Sequence, residues 1–185
     1  FQGSDRFSYK NVRIVKNSLN ISYWGVTHEV ISTPDGTKYD QIERVVAFIN
    51  DIGDGGAKAD KFTRDIRLLT EGLVEKPNND RYTFYLANSY RDNGEREKAI
   101  AMYKKRIEIG GWFDEVWQSY YNIGRCYSWM GEPEKAVVYW MLAYDHFPKR
   151  LENIYEIIHY YRNQSKHKLV YEFYCMAIRQ LEGVD

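Results

Sequence analysis

"SYYNIGRCYSWMGEPEKAVVYWMLAYDHFP", residues 119–148, decides the fold. It holds two stretches of helical apolar spacing, separated by Trp129-Met130-Gly131 and then Glu132-Pro133. A glycine just past a helix supplies the left-handed conformation that ends it, and a proline in a first turn opens the next. The stretch therefore reads as a helical hairpin. Gly124, Ala136 and Ala143 are small, so the two helices can approach closely, and the aromatic side chains fill the gaps between hairpins.

The same order of side chains recurs on either side. Aligned on Tyr90, Tyr127 and Tyr161, the units are separated by 37 and 34 residues. The central unit reads Tyr120, Ile123, Gly124, Tyr127, Gly131, Ala136, Trp140, Ala143, Pro148. The unit before it carries Leu86, Ala87, Tyr90, Gly94, Ala99 and Tyr103, and a more degenerate unit after it carries Ile154, Ile157, Tyr161, Val170, Tyr174 and Ala177. A repeat of this length marks a solenoid. The pattern resembles the tetratricopeptide repeat, which places a large residue, Leu-Gly, Tyr, Gly, Ala, Phe or Tyr, Ala and Pro in that order. The longer first interval is taken up at Gly110-Gly111-Trp112, a glycine-rich loop. One period upstream, "DKFTRDIRLLTEGLVEKP", residues 60–77, sets Phe62, Ile66, Leu69 and Leu73 on one stripe. Its Leu69, Gly72 and Pro77 match Trp140, Ala143 and Pro148, as the second helix of a half-repeat would. The expected fold is mostly α: a helical hairpin solenoid over 57–185, with the half-repeat at 60–77 and repeats at about 80–111, 117–148 and 151–182. A small β-containing segment, 5–56, precedes it and would cap the solenoid end.

Composition narrows the function. The 185 residues are 44% hydrophobic and 28% charged, as in a folded globular protein. The 26 basic residues balance 26 acidic ones, whereas a nucleic-acid binder needs a concentrated basic surface. No nucleic-acid partner is expected. There is no run of about 18 apolar residues, so no membrane span is expected either. No apolar leader pattern is seen, and the expected location is the cytoplasm. Cys126 and Cys175, both within helical patterns, read as small buried hydrophobes with no metal-ligand spacing. Asn20-Ile21-Ser22 and Asn163-Gln164-Ser165 fit the glycosylation acceptor pattern, but nothing else points to secretion.

The N-terminal segment has a different character. Phe1-Gln2-Gly3-Ser4 resembles the scar of a cleavable affinity tag. Val12-Arg13-Ile14-Val15 and Arg44 to Ile49 read as strands, with Pro34-Asp35-Gly36 as a turn between them. Asp54-Gly55-Gly56 reads as a turn ahead of the helices, with a substrate loop as the alternative. "YWGVTHEVI", residues 23–31, is a short β-like stretch that crowds Trp24, Gly25, His28 and Glu29 together. The His-Glu pair fits either a hydrogen-bonding pair at a strand end or part of a catalytic pocket.

"VRIVKN", "YWGVTHE", "DGGAKADKFTRDIRLL" and "NNDRYTFYLANSYRDNGEREKAIAMYKKRIEIGGW" follow one another in an order that resembles the C-terminal part of family 2 glycosyltransferases with appended tetratricopeptide repeats. The resemblance runs from Asn11 to about Arg162. It implies a parent enzyme with a GT-A catalytic domain that transfers sugar from a nucleotide-sugar donor with a divalent ion, Mn or Mg. It also implies that His28 and Glu29 belong to the last part of that domain, with His28 near the metal-bound diphosphate as a possible metal ligand. The family's Asp-x-Asp motif is absent from this chain. By itself the stretch is expected to be inactive and to bind no cofactor, and its first partner would be its own upstream catalytic domain.

A second candidate site follows from the repeats. In tetratricopeptide proteins the first helix of each hairpin lines the concave face. The matching positions here are Phe84, Tyr121 and Tyr155, then Asn88, Arg125 and His159, then Arg91, Ser128 and Arg162. Aromatics flanked by Arg and Asn could grip a peptide or stack on the sugar rings of a glycan acceptor. They do not match the Lys/Asn-rich clamp by which such repeats take a C-terminal carboxylate. The alternative is that these aromatics only pack between neighbouring hairpins.

Overall fold

The structure, a computed structural model, describes residues 2–3, 8–9, 12, 14–50 and 60–183. The chain divides into two units, Phe1–Lys61 and Phe62–Asp185.

Among its described residues the first unit carries five short strands: β1 (Gln2–Gly3), β2 (Ser8–Tyr9), β3 (Ser22–Trp24), β4 (Val30–Ser32) and β5 (Ile49–Asn50). In one sheet β1 pairs antiparallel with β2 and parallel with β5. In the other, β3 and β4 form an antiparallel hairpin with Tyr23 opposite Ile31. The turn at Pro34-Asp35-Gly36 is present, closed by Thr37 N–H donating to the Pro34 carbonyl at 3.2 Å with Gly36 at φ +77°.

Both long strands read from the sequence fail. Val12, Ile14 and Val15 are irregular, and the chain turns soon after, with Leu19 N–H on the Lys16 carbonyl. Arg44–Val46 is a turn, held by Val46 N–H on the Glu43 carbonyl at 2.9 Å, and pairing is confined to Ile49–Asn50. The physical reason is burial. Val45 is 95% exposed, and a β-branched residue favours a strand mainly by packing on a covered face. The Asp54-Gly55-Gly56 reading lies outside the described residues.

The second unit is a tetratricopeptide-like helical solenoid. Among the described residues it has seven helices: α1 (Lys61–Glu75), α2 (Asp80–Asp92), α3 (Arg96–Ile109), α4 (Phe113–Trp129), α5 (Pro133–His146), α6 (Glu152–Asn163) and α7 (His167–Glu182). After α1 they pair as hairpins α2–α3, α4–α5 and α6–α7. Local chemistry fixes the ends. Asn79 Oδ1 accepts from Tyr82 N–H at 2.8 Å and caps α2, and Pro133 opens α5.

The first helix of every hairpin stops in the same way. Glu95, Glu132 and Lys166 donate their N–H to the carbonyls of Tyr90, Tyr127 and Tyr161 at 2.9, 2.9 and 3.0 Å. Gly94, Gly131 and Ser165 precede those donors, with φ of +84°, +78° and +55°, and donate to Arg91, Ser128 and Arg162. This is the paired bonding of a Schellman C-cap. The tyrosines that align the repeats in sequence thus hold one backbone position in all three.

Two apolar clusters make the core. Phe84, Ala87, Ala99, Tyr103, Ile123 and Cys126 join the first hairpin to α4, and Ala136, Trp140, Ile154 and Ile157 join the second hairpin to α6. Gly124 is where α4 meets α5. A Cβ there would lie 2.4 Å from Trp140 Nε1, so only glycine admits the indole. Ala136 is fully buried and lies in the second cluster, so it serves the contact with the next hairpin as well as its own.

Candidate interaction surface

The expected inner-face residues do not form a single column. Phe84 is only 5% exposed and packs edge-on against Tyr103, so it belongs to the core and not to a binding face. Asn88 and Arg91 are engaged within the hairpin. Tyr103 O–H donates to Asn88 Oδ1 at 2.6 Å, and Arg91 Nη1 donates to the Tyr103 oxygen at 3.2 Å. Arg91 also grips Asp92 with Nε and Nη2. Burial raises the Tyr103 phenol well above its ordinary range and keeps it neutral.

α4 does carry a continuous row, buried at Trp117 and opening to solvent at Trp129. Trp117, Tyr121, Arg125 and Trp129 follow at intervals of four residues, the spacing that puts side chains on one helix face. Trp117 and Tyr121 stack with centroids 5.2 Å apart and planes 9° from parallel. The Arg125 guanidinium lies 5.8 Å from the Tyr121 centroid and 4.6 Å from that of Trp129. Arg150 covers the inner end, 4.3 Å from the Trp117 centroid, and its Nη1 bonds Asp114 at 3.1 Å. Tyr121 O–H donates to Glu156 Oε1 on α6 at 3.0 Å. Burial, with help from Glu156, pushes the Tyr121 phenol up to about 12.

α6 continues the surface with Tyr155, 65% exposed and stacked 6.4 Å from His159. Asn163 Nδ2 lies 3.4 Å from His159 Nδ1, and Arg162 is exposed. The structure therefore brings Tyr121 to Arg125 and Tyr155 to His159, and leaves Phe84, Asn88 and Arg91 to internal packing. The sequence reading missed Trp117, Trp129, Arg150 and Glu156. Counting in fours from Tyr121 finds both tryptophans, whereas Arg150 and Glu156 reach the row only through the hairpin packing.

Two other places are accounted for. A cleft of about 400 Å³ between α1, α2 and α3 has an apolar floor that includes Leu73, Leu86 and Met102, with Lys98 and Lys105 at its lining. His28 and Glu29 lie in the β3–β4 connection, both exposed, with His28 at φ +51°. Gly25, at φ +118°, has no room for a Cβ without crowding the Thr27 carbonyl at 3.2 Å. Among the described residues, no three His, Cys, Asp or Glu side chains gather where they could hold a metal. No described helix is long and apolar enough to cross a membrane.

The class is thus a tetratricopeptide-like solenoid with an aromatic and arginine-bearing row on its middle hairpin. Comparison agrees at that level. The tetratricopeptide repeat family model matches residues 118–149. Solved structures of MamA share the fold. For MamA RS-1, an ArsTM double mutant, the TM-score is 0.57 at 15% identity, covering 72% of this chain and 74% of that one. For MamA AMB-1 it is 0.54 at 18%, covering 71% and 73%, and for MamA MSR-1 it is 0.53 at 16%, covering 69% and 72%. No curated protein matches the chain. None of these similarities points to a glycosyltransferase.

Proposed function

We propose that the helical unit is a protein-interaction scaffold whose first-helix face binds a segment of a partner protein. One observation carries this reading. Tyr121 and Trp129 on α4 and Tyr155 on α6 present large rings, two of them about half exposed or more, with Arg125 against the α4 pair. Rings of this kind bury much area at small entropic cost, and they concentrate binding energy at interfaces. The fold adds its support, because a rigid solenoid holds such a row in place.

Peptides selected on the chain from a random displayed library provide the test. Hydrogen exchange on the complexes should slow in α4 and α6, and Tyr155→Ala should weaken binding by about tenfold, the scale of an interface aromatic. Protection confined to the β-containing unit or to α7 would overturn the reading.

The glycosyltransferase parent is the second reading, supported by the order of motifs between Asn11 and Arg162. In it the solenoid supports the catalytic domain or presents the acceptor, and His28 and Glu29 serve the donor site. Its test is His28→Ala in the longer protein. A fall of about a hundredfold in transfer rate at unchanged melting temperature supports it. Full activity with a lowered melting temperature makes His28 a loop residue only.

A further inference from the structure

Two guanidiniums lie against the Trp129 ring. Arg96, the first residue of α3, places its guanidinium carbon 5.9 Å from the ring centroid, and Arg125 on α4 places its own at 4.6 Å. Arg91 comes from the end of α2 to the same region. All three arginines lie close enough to Cys126 to favour its thiolate, although burial dominates there and the thiol is pushed up to about 11. Arg91 is neutralised by Asp92 at 2.7 Å. For Arg96 and Arg125 the described residues supply no ion-pair carboxylate, and Arg96 Nε is buried without a hydrogen-bond partner among them. Trp129 itself is 47% exposed.

This is an uneven distribution of charge. The chain as a whole is neutral, and its fully buried Arg106 is matched by Glu115 at 3.0 Å. Two guanidiniums without an ion-pair carboxylate beside one ring repel each other, and a carboxylate brought to that ring would offset the charge of both. A guanidinium fork matches a carboxylate in two parallel hydrogen bonds, and the indole offers apolar cover for the methylenes that carry the acid.

We propose that Arg96, Arg125 and Trp129 form a pocket for a glutamate or aspartate side chain, so that the partner presents an acidic peptide segment. The proposal rests on the reading of this face as a peptide-binding surface and gives that surface its charge preference. The pocket is built from two helices, α3 and α4, of two neighbouring hairpins, so it exists only in the folded solenoid.

The test uses the full chain and a short fluorescein-labelled peptide of alternating glutamate and leucine, with its glutamine isostere as control. Fluorescence anisotropy should show the glutamate peptide binding at least about tenfold more tightly, with an advantage that shrinks as salt is raised. Arg96→Gln and Arg125→Gln should each weaken the glutamate peptide about tenfold while leaving the glutamine peptide unaffected. Arg125→Lys should fall between, because it keeps the charge and loses the fork. Melting curves of the variants establish that they fold. Equal binding of the two peptides, or equal loss of both in the arginine variants, overturns the acidic pocket and leaves the interaction surface standing. Binding of neither, together with no slowing of exchange in α4 and α6 by any selected peptide, overturns both.

Discussion

Arg106 at the end of α3 and Glu115 at the start of α4 form an ion pair that is closed off from solvent. Arg106 Nε and Nη2 donate to Glu115 Oε2 at 3.1 and 3.0 Å, and Nη1 donates to the Gly110 carbonyl. Arg106 is 0% exposed and Glu115 5%. The pair spans the loop of Gly110, Gly111 and Trp112, where the first hairpin hands over to the second. Asp80 at the start of α2 adds a longer contact of 3.8 Å. Three helix ends are thereby held around one guanidinium.

Removing one partner of such a pair leaves a buried charge unmatched, which typically costs 3 to 5 kcal/mol, whereas replacing both by apolar groups is often neutral. Glu115→Gln and Arg106→Met should therefore each lower stability by roughly that amount in urea unfolding. The double variant Arg106→Met with Glu115→Leu should recover most of the loss. A double variant as unstable as the sum of the singles would mean that the two residues contribute independently, with no coupling between them.

Gly124 against Trp140 gives a steric prediction. Gly124→Ala places a methyl 2.4 Å from the indole nitrogen and 2.5 Å from Cδ1, so the ring or the helices must shift. The expected cost is roughly 1 to 3 kcal/mol, the usual scale of overpacking. Ala136→Leu should cost a similar amount, because Ala136 is 0% exposed beside Trp140, Ile154 and Ile157. Trimming the obstruction with Trp140→Phe should reduce the penalty of Gly124→Ala, a coupling that a double-mutant cycle of melting temperatures measures directly.

These contacts mark what was legible in the sequence. Gly124, Ala136, Ala143 and the tyrosines announce the hairpins because close helix approach admits few residue types. The ion pair of Arg106 and Glu115 announces nothing, since either residue alone is an ordinary surface charge in a helical pattern. The inner-face positions were found by register, yet register says nothing of depth. Phe84 and Tyr121 are equivalent in register, but only Tyr121 meets an acidic partner, Glu156, and Phe84 sinks against Tyr103. In the β-containing segment the valines of 45 and 46 carried a strand propensity that no covering layer was present to realise.

The two free cysteines should differ in reactivity. Cys126 is 0% exposed, and burial pushes its thiol up to about 11 despite three arginines nearby, whereas Cys175 is partly exposed. The thiolate is the nucleophile, so at pH 8 Cys126 holds very little of the reactive form. A disulfide reagent such as dithiobis-nitrobenzoate should release one fast equivalent, assigned to Cys175 by its absence in Cys175→Ser. The second equivalent should appear only on unfolding in guanidinium. Two fast equivalents in the folded protein would contradict the packing of Cys126.

The last prediction turns on the three matching C-caps. Gly94 and Gly131 take φ of +84° and +78°, where a glycine has no penalty, and Ser165 is forced to φ +55° in the third hairpin. Its N–H still reaches the Arg162 carbonyl at 3.0 Å, and Lys166 N–H still reaches Tyr161, so the motif is kept at a conformational cost. A non-glycine residue in the left-handed region costs on the order of 1 kcal/mol. Ser165→Gly should remove that strain. Part of the gain is returned through the greater freedom of glycine in the unfolded chain, leaving a net stabilisation of about 0.5 to 1 kcal/mol. Gly94→Ala and Gly131→Ala provide the controls. A Cβ at either position meets nothing within 4 Å, so any loss there is purely conformational and should be about 1 kcal/mol. Melting temperatures of the three variants read the effect with opposite signs. A destabilised Ser165→Gly protein would show that the serine side chain contributes a contact that outweighs its backbone strain.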